Sequence, residues 1–297
     1  MCALSTTYPS ALCCCLPTTH TQSKLNNTQY NNNTPHTPLH PNRLDDPAYR
    51  TPNPYAQPFL RKVGDWNRFT KRTGGTLVEK CCHHFDLMRL ILDAEPVRFL
   101  ASGGQDVNHK TETYDGQPSD ILDNAYVLID FDNGARALLE LCMFAEASKH
   151  QEEVSLVGTL GKLEAFAPSH GMRDDDESIV NYRMGVRNPA FLKGWDKVDP
   201  PAPEECGKLG EEHIGVAARL LEAGNHCGAT YEEVRAFADA VREQRAPTVS
   251  LNDGSKAVLM GLAAHRAIES GQPVLWQDML AEFNEAREAA GSVVGLA

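Results

Sequence analysis

Two successive hairpin patterns in the middle of the chain constrain its fold more than any other feature of the sequence. Residues 125–131 read Ala-Tyr-Val-Leu-Ile-Asp-Phe, the Asp-Asn-Gly of residues 132–134 predicts a type I′ turn, and residues 135–144 form the partner strand. A second hairpin and one further strand follow at residues 153–157, 162–166 and 178–184. Strands joined by short turns pair antiparallel, so this region does not fit a parallel, doubly wound sheet.

Helical patterns lie before and after these strands. Apolar side chains recur every three or four residues from Leu77 to Leu92, which predicts a helix that reaches about Asp93 and precedes a strand at 96–103. The end of the chain predicts three more helices, at residues 231–244, 252–268 and 276–290. The predicted fold class is therefore α+β, an open, mainly antiparallel sheet with helices packed on one face.

The first 57 residues differ from the rest of the chain. They are rich in Thr, Asn, Pro, Ser and His, have no acidic residue before Asp45 and show no apolar period. Such a segment buries too little apolar surface to offset its conformational entropy, so we predict a disordered tail at residues 1–57 and a folded domain at residues 58–297. Organelle transit peptides are also acid-poor and Ser/Thr-rich, but Lys24 and Arg43 are the only basic residues before position 45.

The composition disfavours several classes of partner. A formal net charge of −12 over 297 residues disfavours nucleic acid and anionic membranes, and no apolar run has the length of a membrane span. The nine cysteines fall in adjacent runs or singly, which is not the pattern of a disulfide framework. These features are typical of an intracellular protein with free thiols, and we expect a cytoplasmic location.

A second stripe of the helix before the sheet carries ionisable side chains. Glu79, His83 and Asp86 recur at steps of four and three residues, roughly 200° around the helix from the apolar stripe. An imidazole can take the hydroxyl proton when an alcohol is oxidised, and a carboxylate one turn away can stabilise its charged form. By spacing alone the pair Glu79 and His83 also fits an ordinary surface pair, and Asp86 fits either a substrate contact or a structural hydrogen bond.

Other polar residues have two interpretations each. Asn67 and Arg68, before the Gly-Gly turn, either reach a polyol hydroxyl or lie in a solvated loop. His226, between two glycines and before a helix, either lines a cleft next to Glu79 and His83 or belongs to a turn. The run Cys81-Cys82-His83-His84 predicts no metal site, because adjacent side chains on a helix point in different directions and no second cluster has zinc spacing.

Several of these segments together resemble one protein family. The pattern Gly74-Gly75-x-Leu77-x-Glu79-x-Cys81-x-His83-x-x-Asp86 resembles the Gly-Gly-x-Leu-x-Asp-x-Gly-x-His-x-x-Asp signature of the Gfo/Idh/MocA oxidoreductases, the glucose–fructose oxidoreductase and inositol dehydrogenase family. Four later segments are similar to the family's central hairpin, its Gly-x-x-Gly-x-Leu turn and its closing segment, at residues 123–127, 131–135, 158–163 and 249–254. The resemblance covers residues 66–276, the family's C-terminal substrate domain.

The resemblance implies an activity and two catalytic residues. Family members bind NAD or NADP in an N-terminal Rossmann domain and move a hydride between the nicotinamide and a sugar, polyol or related carbonyl. His83 occupies the position of the family's catalytic histidine, and Glu79 that of its aspartate. Two departures are the extra methylene of Glu79 and Cys81 in place of a glycine. The family's catalytic lysine lies in a Glu-Lys-Pro motif, whereas Glu79-Lys80 is followed by cysteine.

The sequence lacks the motifs of a nucleotide site. It contains no Gly-x-Gly-x-x-Gly, no Gly-x-x-x-x-Gly-Lys-Ser/Thr and no βαβ pattern before Gly74. We therefore expect that the NAD(P)-binding site is not present in this chain and that the chain is inactive alone. The alternative hypothesis is a non-catalytic module that binds sugar or self-associates. Under both hypotheses we expect a homo-oligomer through the open sheet.

Overall fold

The computed structural model describes residues 10–15, 63–145, 150–158, 161–168, 179–186, 209–215 and 229–291. His226 and most of the segment predicted to be disordered lie outside these residues. The described residues contain helices and a large, mainly antiparallel sheet, so the predicted α+β class is confirmed. No helix in this part of the chain is long and apolar enough to cross a membrane.

In the described part of the chain, six α-helices follow a short 3₁₀ segment at Val63–Arg68, in which Gly64 and Asp65 have positive φ angles. The helices are α1 (Thr70–Thr73), α2 (Thr76–Glu79), α3 (Cys82–Leu92), α4 (Ala229–Arg242), α5 (Leu251–Ser270) and α6 (Trp276–Ala289). The single helix predicted up to Asp93 is thus two helices, which meet at Lys80 and Cys81. Cys81 has φ −105 and ψ −1, away from ideal helical values, and α3 ends at Asp93, whose φ of 46 is left-handed. Glu79 and His83 therefore lie on successive helices.

The strands form one nine-stranded sheet and a small two-stranded ribbon. Their bounds are β1 (Ser10–Cys15), β2 (Pro96–Gly104), β3 (Thr113–Tyr114), β4 (Gln117–Pro118), β5 (Asn124–Phe131), β6 (Arg136–Cys142), β7 (His150–Gly158), β8 (Gly161–Pro168), β9 (Ile179–Val186), β10 (Leu209–Gly215) and β11 (Val274–Leu275). The order in the sheet is β10-β9-β8-β7-β1-β6-β5-β2-β11, and β3 pairs with β4. All neighbours are antiparallel except β1 and β7.

Strand β1 belongs to the segment that the sequence predicts to be disordered. It pairs with β6 from Ser10 opposite Leu141 to Cys15 opposite Arg136, and it runs parallel to β7. The sequence analysis placed residues 10–15 in a disordered tail and did not predict this strand. Its Ala-Leu-Cys-Cys-Cys run shows no alternation and is too short to stand out from the polar, Pro-rich residues around it.

The turn between β5 and β6 differs from the predicted type. Of its residues only Gly134 has a positive φ, of 81, whereas a type I′ turn needs positive φ at both central positions. Phe131 N–H donates to the Ala135 carbonyl and Gly134 N–H donates to the Phe131 carbonyl. The loop therefore has three residues, with the left-handed position taken by glycine.

The core lies between one face of β2, β5 and β6 and the layer formed by α2, α3 and α5. The apolar stripe predicted from the sequence is fully buried here, at Leu77, Cys81, Phe85, Met88 and Leu92. It packs against the inward side chains of β5 and β6, which include Val127, Ile129 and Leu139. Alternation along β5 and β6 places Tyr126, Leu128 and Leu138 on the opposite face, where they are exposed.

Candidate active site at the start of the helical layer

The chemical stripe predicted on the helix is separated from the packing stripe in the structure. Glu79, Lys80, Cys82, His83 and Asp86 are partly buried, whereas the residues between them are buried. Glu79 ends α2, and Lys80 Nζ lies 4.0 Å from its Oε1. An acid and an imidazole thus flank the junction between α2 and α3, where both are partly buried and Nε2 of His83 is buried.

His83 lies in the first turn of α3. Its Nδ1 is 3.6 Å from the Sγ of Cys82, and its ring centroid is 5.5 Å from that of His84. Burial raises the pKa of the Cys82 thiol. Cys82 therefore remains a neutral thiol near neutral pH, and it contacts one ring nitrogen of His83 as a weak hydrogen-bonding group.

The two buried members of the Cys81-Cys82-His83-His84 run face the core. Burial raises the pKa of the Cys81 thiol and lowers the pKa of His84 to about 3, with the neighbouring His83 acting in the same direction. Both groups are therefore neutral at physiological pH. Among the described residues, no group of three His, Cys, Asp or Glu side chains could hold a metal ion.

Asp86 belongs to a charged network between α3 and the start of α5. Its Oδ1 lies 3.4 Å from Arg89 Nη1, and the same Arg89 contacts Glu95 at 2.6 Å and Asp253 at 3.7 Å. Lys256 Nζ lies 3.2 Å from Glu95 Oε1. Burial, opposed in part by Arg89, raises the pKa of Asp86. The structure gives Asp86 a structural partner, and its contact with a substrate stays a prediction.

Asn67 and Arg68 are buried, so the interpretation of a solvated loop is wrong for both. Arg68 Nε donates to Glu112 Oε2 at 2.9 Å and to the Tyr114 hydroxyl at 3.3 Å. Glu112 also accepts from Tyr114 at 2.7 Å and contacts His109 Nδ1 at 2.8 Å. This network holds the β3–β4 ribbon against the 3₁₀ segment. A substrate contact of Asn67 or Arg68 stays a prediction.

Helix α2 is held in place by three residues that the sequence patterns did not indicate, namely Leu122, Gly261 and His265. Leu77 N–H donates to Nε2 of His265 on α5 at 3.3 Å, and Thr76 Oγ1 donates to the Leu122 carbonyl at 2.7 Å. At Gly261, also on α5, a Cβ would lie 2.9 Å from the Leu77 carbonyl oxygen. The sequence offered no signal for these contacts, because periodicity identifies the buried face of a helix and not its distant partner.

The described residues do not fit a dinucleotide cofactor. Among the described residues, β1 and β7 are the parallel pair and are not consecutive strands of a βαβ unit, and the sequence has no Gly-x-Gly-x-x-Gly loop. No step of a mechanism is therefore assigned to a cofactor bound by these residues.

The described residues thus form an open, mainly antiparallel sheet, covered on one face by helices that carry a Gly-Gly turn, an acid and an imidazole. The family model described as "Oxidoreductase family, C-terminal alpha/beta domain" matches residues 39–275. The chain belongs to this family, the Gfo/Idh/MocA oxidoreductases. The match begins before the predicted domain start at residue 58 and after strand β1.

Solved structures share this fold at low sequence identity. An oxidoreductase domain protein from Kribbella flavida is 18% identical, with a TM-score of 0.51 over 73% of this chain and 55% of its own. The aldose-aldose oxidoreductase from Caulobacter crescentus, complexed with glycerol, is 16% identical, with a TM-score of 0.45 over 73% of this chain and 52% of its own. The chain thus spans about half the length of these structures. No curated protein matches the sequence.

Proposed function

We propose that this chain is the substrate-side domain of an NAD(P)-dependent oxidoreductase that acts on a CH–OH group of a sugar or polyol. The observation that carries the proposal is the placement of Glu79 and His83 on either side of the α2–α3 junction, where both residues are partly buried beside the fully buried packing stripe. Family membership supports the reaction class.

In this proposal His83 is the base. The alcohol gives its hydroxyl proton to His83. A nicotinamide cofactor held by another domain would accept the carbon-bound hydrogen as hydride. Glu79 stabilises the imidazolium that forms. In this proposal a nucleotide-binding domain outside the described residues would supply the nicotinamide, and for that reason we expect the chain to be inactive alone.

Binding measurements test this proposal without turnover. We expect millimolar glycerol, glucose or myo-inositol to shift amide resonances of residues 79–86, and His83→Asn to abolish the shift while the spectrum of the core is retained. Arg266→Ala, on the exposed face of α5, serves as the matched control and should leave the shifts unchanged. Shifts confined to residues far from the α2–α3 junction would contradict the site. Calorimetry should show no micromolar binding of NAD or NADP, and tight binding would refute the expected inactivity.

A specific observation favours a second role in self-association. The open face of the sheet presents Tyr126, Leu128 and Leu138, which are 52%, 38% and 37% exposed. Apolar side chains grouped on one face of a sheet are typical of a surface that a partner covers. We propose that two copies associate face to face through this surface, as a function of the domain with or without catalysis.

Sedimentation equilibrium tests the self-association. Leu138→Arg places a charge at the centre of the open face and should weaken association at least about 10-fold. Lys71→Glu, on exposed α1, changes charge away from the sheet and should leave the association unchanged. A wild-type protein that stays monomeric up to high concentration would refute this role.

A further inference from the structure

Helix α2 begins without a side-chain cap of its own. Its N-cap residue is Gly75, which has no side chain to accept a hydrogen bond from the first turn. The N–H groups of Val78 and Glu79 donate to the Gly75 carbonyl, and Gly75 N–H donates to Thr73 Oγ1. Leu77 N–H belongs to the first turn, where a helix has no internal acceptor. It donates instead to His265 Nε2.

We propose that His265 is a positioning residue: its imidazole caps α2 from the neighbouring helix α5 and so fixes where Glu79 stands. The proposal rests on the proposed function for the role of Glu79. It rests on geometry for the cap itself, because the acceptor comes from a residue 188 positions away in the chain.

The shapes of the two helices are interlocked at this point. A Cβ on Gly75 would lie 2.1 Å from His265 Nε2, so the imidazole fills the space where any other residue would place its side chain. Gly75 also has φ 89 and ψ 174, which other residues rarely adopt. One turn earlier on α5, Gly261 allows the backbone of Leu77 and Val78 to approach closely. Gly261 and His265 thus form the surface of α5 against which the first turn of α2 packs, and a side chain at position 75 or 261 would clash there.

The cap requires one form of the imidazole. Nε2 must carry a lone pair, so the ring must be neutral with its proton on Nδ1. Burial lowers the pKa of His265 to about 4, with Asp120 opposing the shift, which keeps the ring neutral at physiological pH.

The position of Leu77 determines that of Glu79 because α2 has four residues. Leu77 and Glu79 are the second and fourth residues of this single turn, so a shift of the capped end moves the acid as well. At its other end α2 continues through Lys80 and Cys81 into the buried α3. The cap at Leu77 therefore sets the geometry between Glu79 and His83.

Nuclear magnetic resonance on the full chain tests the cap. His265→Leu keeps an apolar side chain of similar size but removes the acceptor, and it should speed hydrogen exchange of the Leu77 amide roughly 10-fold, as expected for the loss of one buried hydrogen bond. His265→Gln restores an acceptor and should recover most of this protection. Leu259→Ala, buried on the same helix, is the control for general destabilisation and should raise exchange across the core without singling out Leu77.

A second measurement separates positioning from simple stabilisation. In His265→Leu we expect the side-chain carboxyl resonance of Glu79 and the imidazole resonances of His83 to shift, and in Leu259→Ala we expect them to stay in place. Unchanged Leu77 exchange in His265→Leu would overturn the cap. Faster exchange with unmoved Glu79 and His83 resonances would overturn the positioning role. Neither result depends on substrate binding, so both are independent of the test of the proposed function.

Discussion

The two faces of strands β5 and β6 both carry leucines or other large apolar side chains but have opposite environments. On the inner face Val127, Ile129 and Leu139 are fully buried beneath α3 and α5. On the outer face Leu128 and Leu138 face each other across the strands and remain exposed. The presence of leucine alone therefore does not show which face of this sheet becomes the core.

The two faces differ in their charged residues, and the helices cover the face that has none along β5. The inner face is uniformly apolar along β5, whereas the outer face mixes leucines with charged pairs such as Arg98 and Asp130, 2.5 Å apart. Such pairs contribute little to stability when exposed, but they keep an open face soluble. A row of leucines between them, from Leu100 through Leu128 to Leu138, is the feature that distinguishes this face from an ordinary solvated one.

The largest expected effect compares two adjacent leucines of β6. Leu139→Ala should lower the free energy of unfolding by about 3 kcal/mol, because it leaves a cavity beneath the helical layer. Leu138→Ala, on the outer face, should lower it by less than about 1 kcal/mol. Urea denaturation of dilute protein measures both. Equal losses for the two variants would show that the outer face is also packed in the free protein.

The second largest effect is expected from acidification, which should lower the free energy of unfolding through the buried histidines of the helical layer. Burial lowers the pKa of His84 to about 3 and of His265 to about 4, whereas in the unfolded chain both rings titrate near 6.5. The unfolded state therefore binds more protons between these values, and stability falls as the pH decreases from about 6.5 to 4. Two protons correspond to a slope of about 2.5 kcal/mol per pH unit near pH 5.

A variant isolates one of these two imidazoles. His265→Gln removes one titrating group and should reduce the slope at pH 5 by about 1.2 kcal/mol per pH unit. Chemical denaturation at several pH values gives the slope. Carboxyl groups contribute mainly below this range: at Asp123, burial is outweighed by backbone N–H donors, which lower the pKa of its carboxyl. A wild-type slope near zero at pH 5 would mean that neither ring is kept neutral.

The smallest effect concerns the start of α5, the helix that covers the inner face. Ser250 Oγ accepts from Asp253 N–H at 3.2 Å, and Asp253 Oδ2 accepts from Ser250 N–H at 2.9 Å, which is a capping box. Ser250→Ala should lower the free energy of unfolding by about 1 kcal/mol. Ser250→Asp keeps an acceptor and serves as the control in thermal denaturation. A larger loss than that of Leu139→Ala would place the main support of this face in the cap.

Much of the fold could be predicted because it is local in sequence. Alternation and turn residues identified the β5–β6 hairpin, and the helical period identified the buried stripe from Leu77 to Leu92. Strands β1 and β10 could not be predicted. The first is a short apolar run among polar residues, and the second lies next to a segment rich in proline, glycine and charge. Both strands are stabilised by pairing with neighbouring strands, and this pairing cannot be recognised from the residues of β1 or β10 themselves.

In the candidate site, too, the local features could be predicted from the sequence and the long-range contacts could not. Spacing and family resemblance indicated Glu79 and His83, and their catalytic roles stay a prediction; both are partly buried beside the fully buried packing stripe. The burial of Arg68 against Glu112 and the packing of α2 against His265 were not found, because each joins residues far apart in the chain. Long-range polar partners cannot be read from periodicity, which relates only residues that are close together in the chain.

The cap of α2 also has a consequence for the order of assembly. Leu77 and its acceptor are separated by 188 residues, so a chain emerging from the ribosome makes the Gly-Gly turn long before His265 exists. Closing so long a loop is slow compared with forming a local helix. The turn that carries Glu79 is therefore among the last parts to become rigid during synthesis, and a nascent chain arrested before α5 would contain the acid and imidazole without their native arrangement.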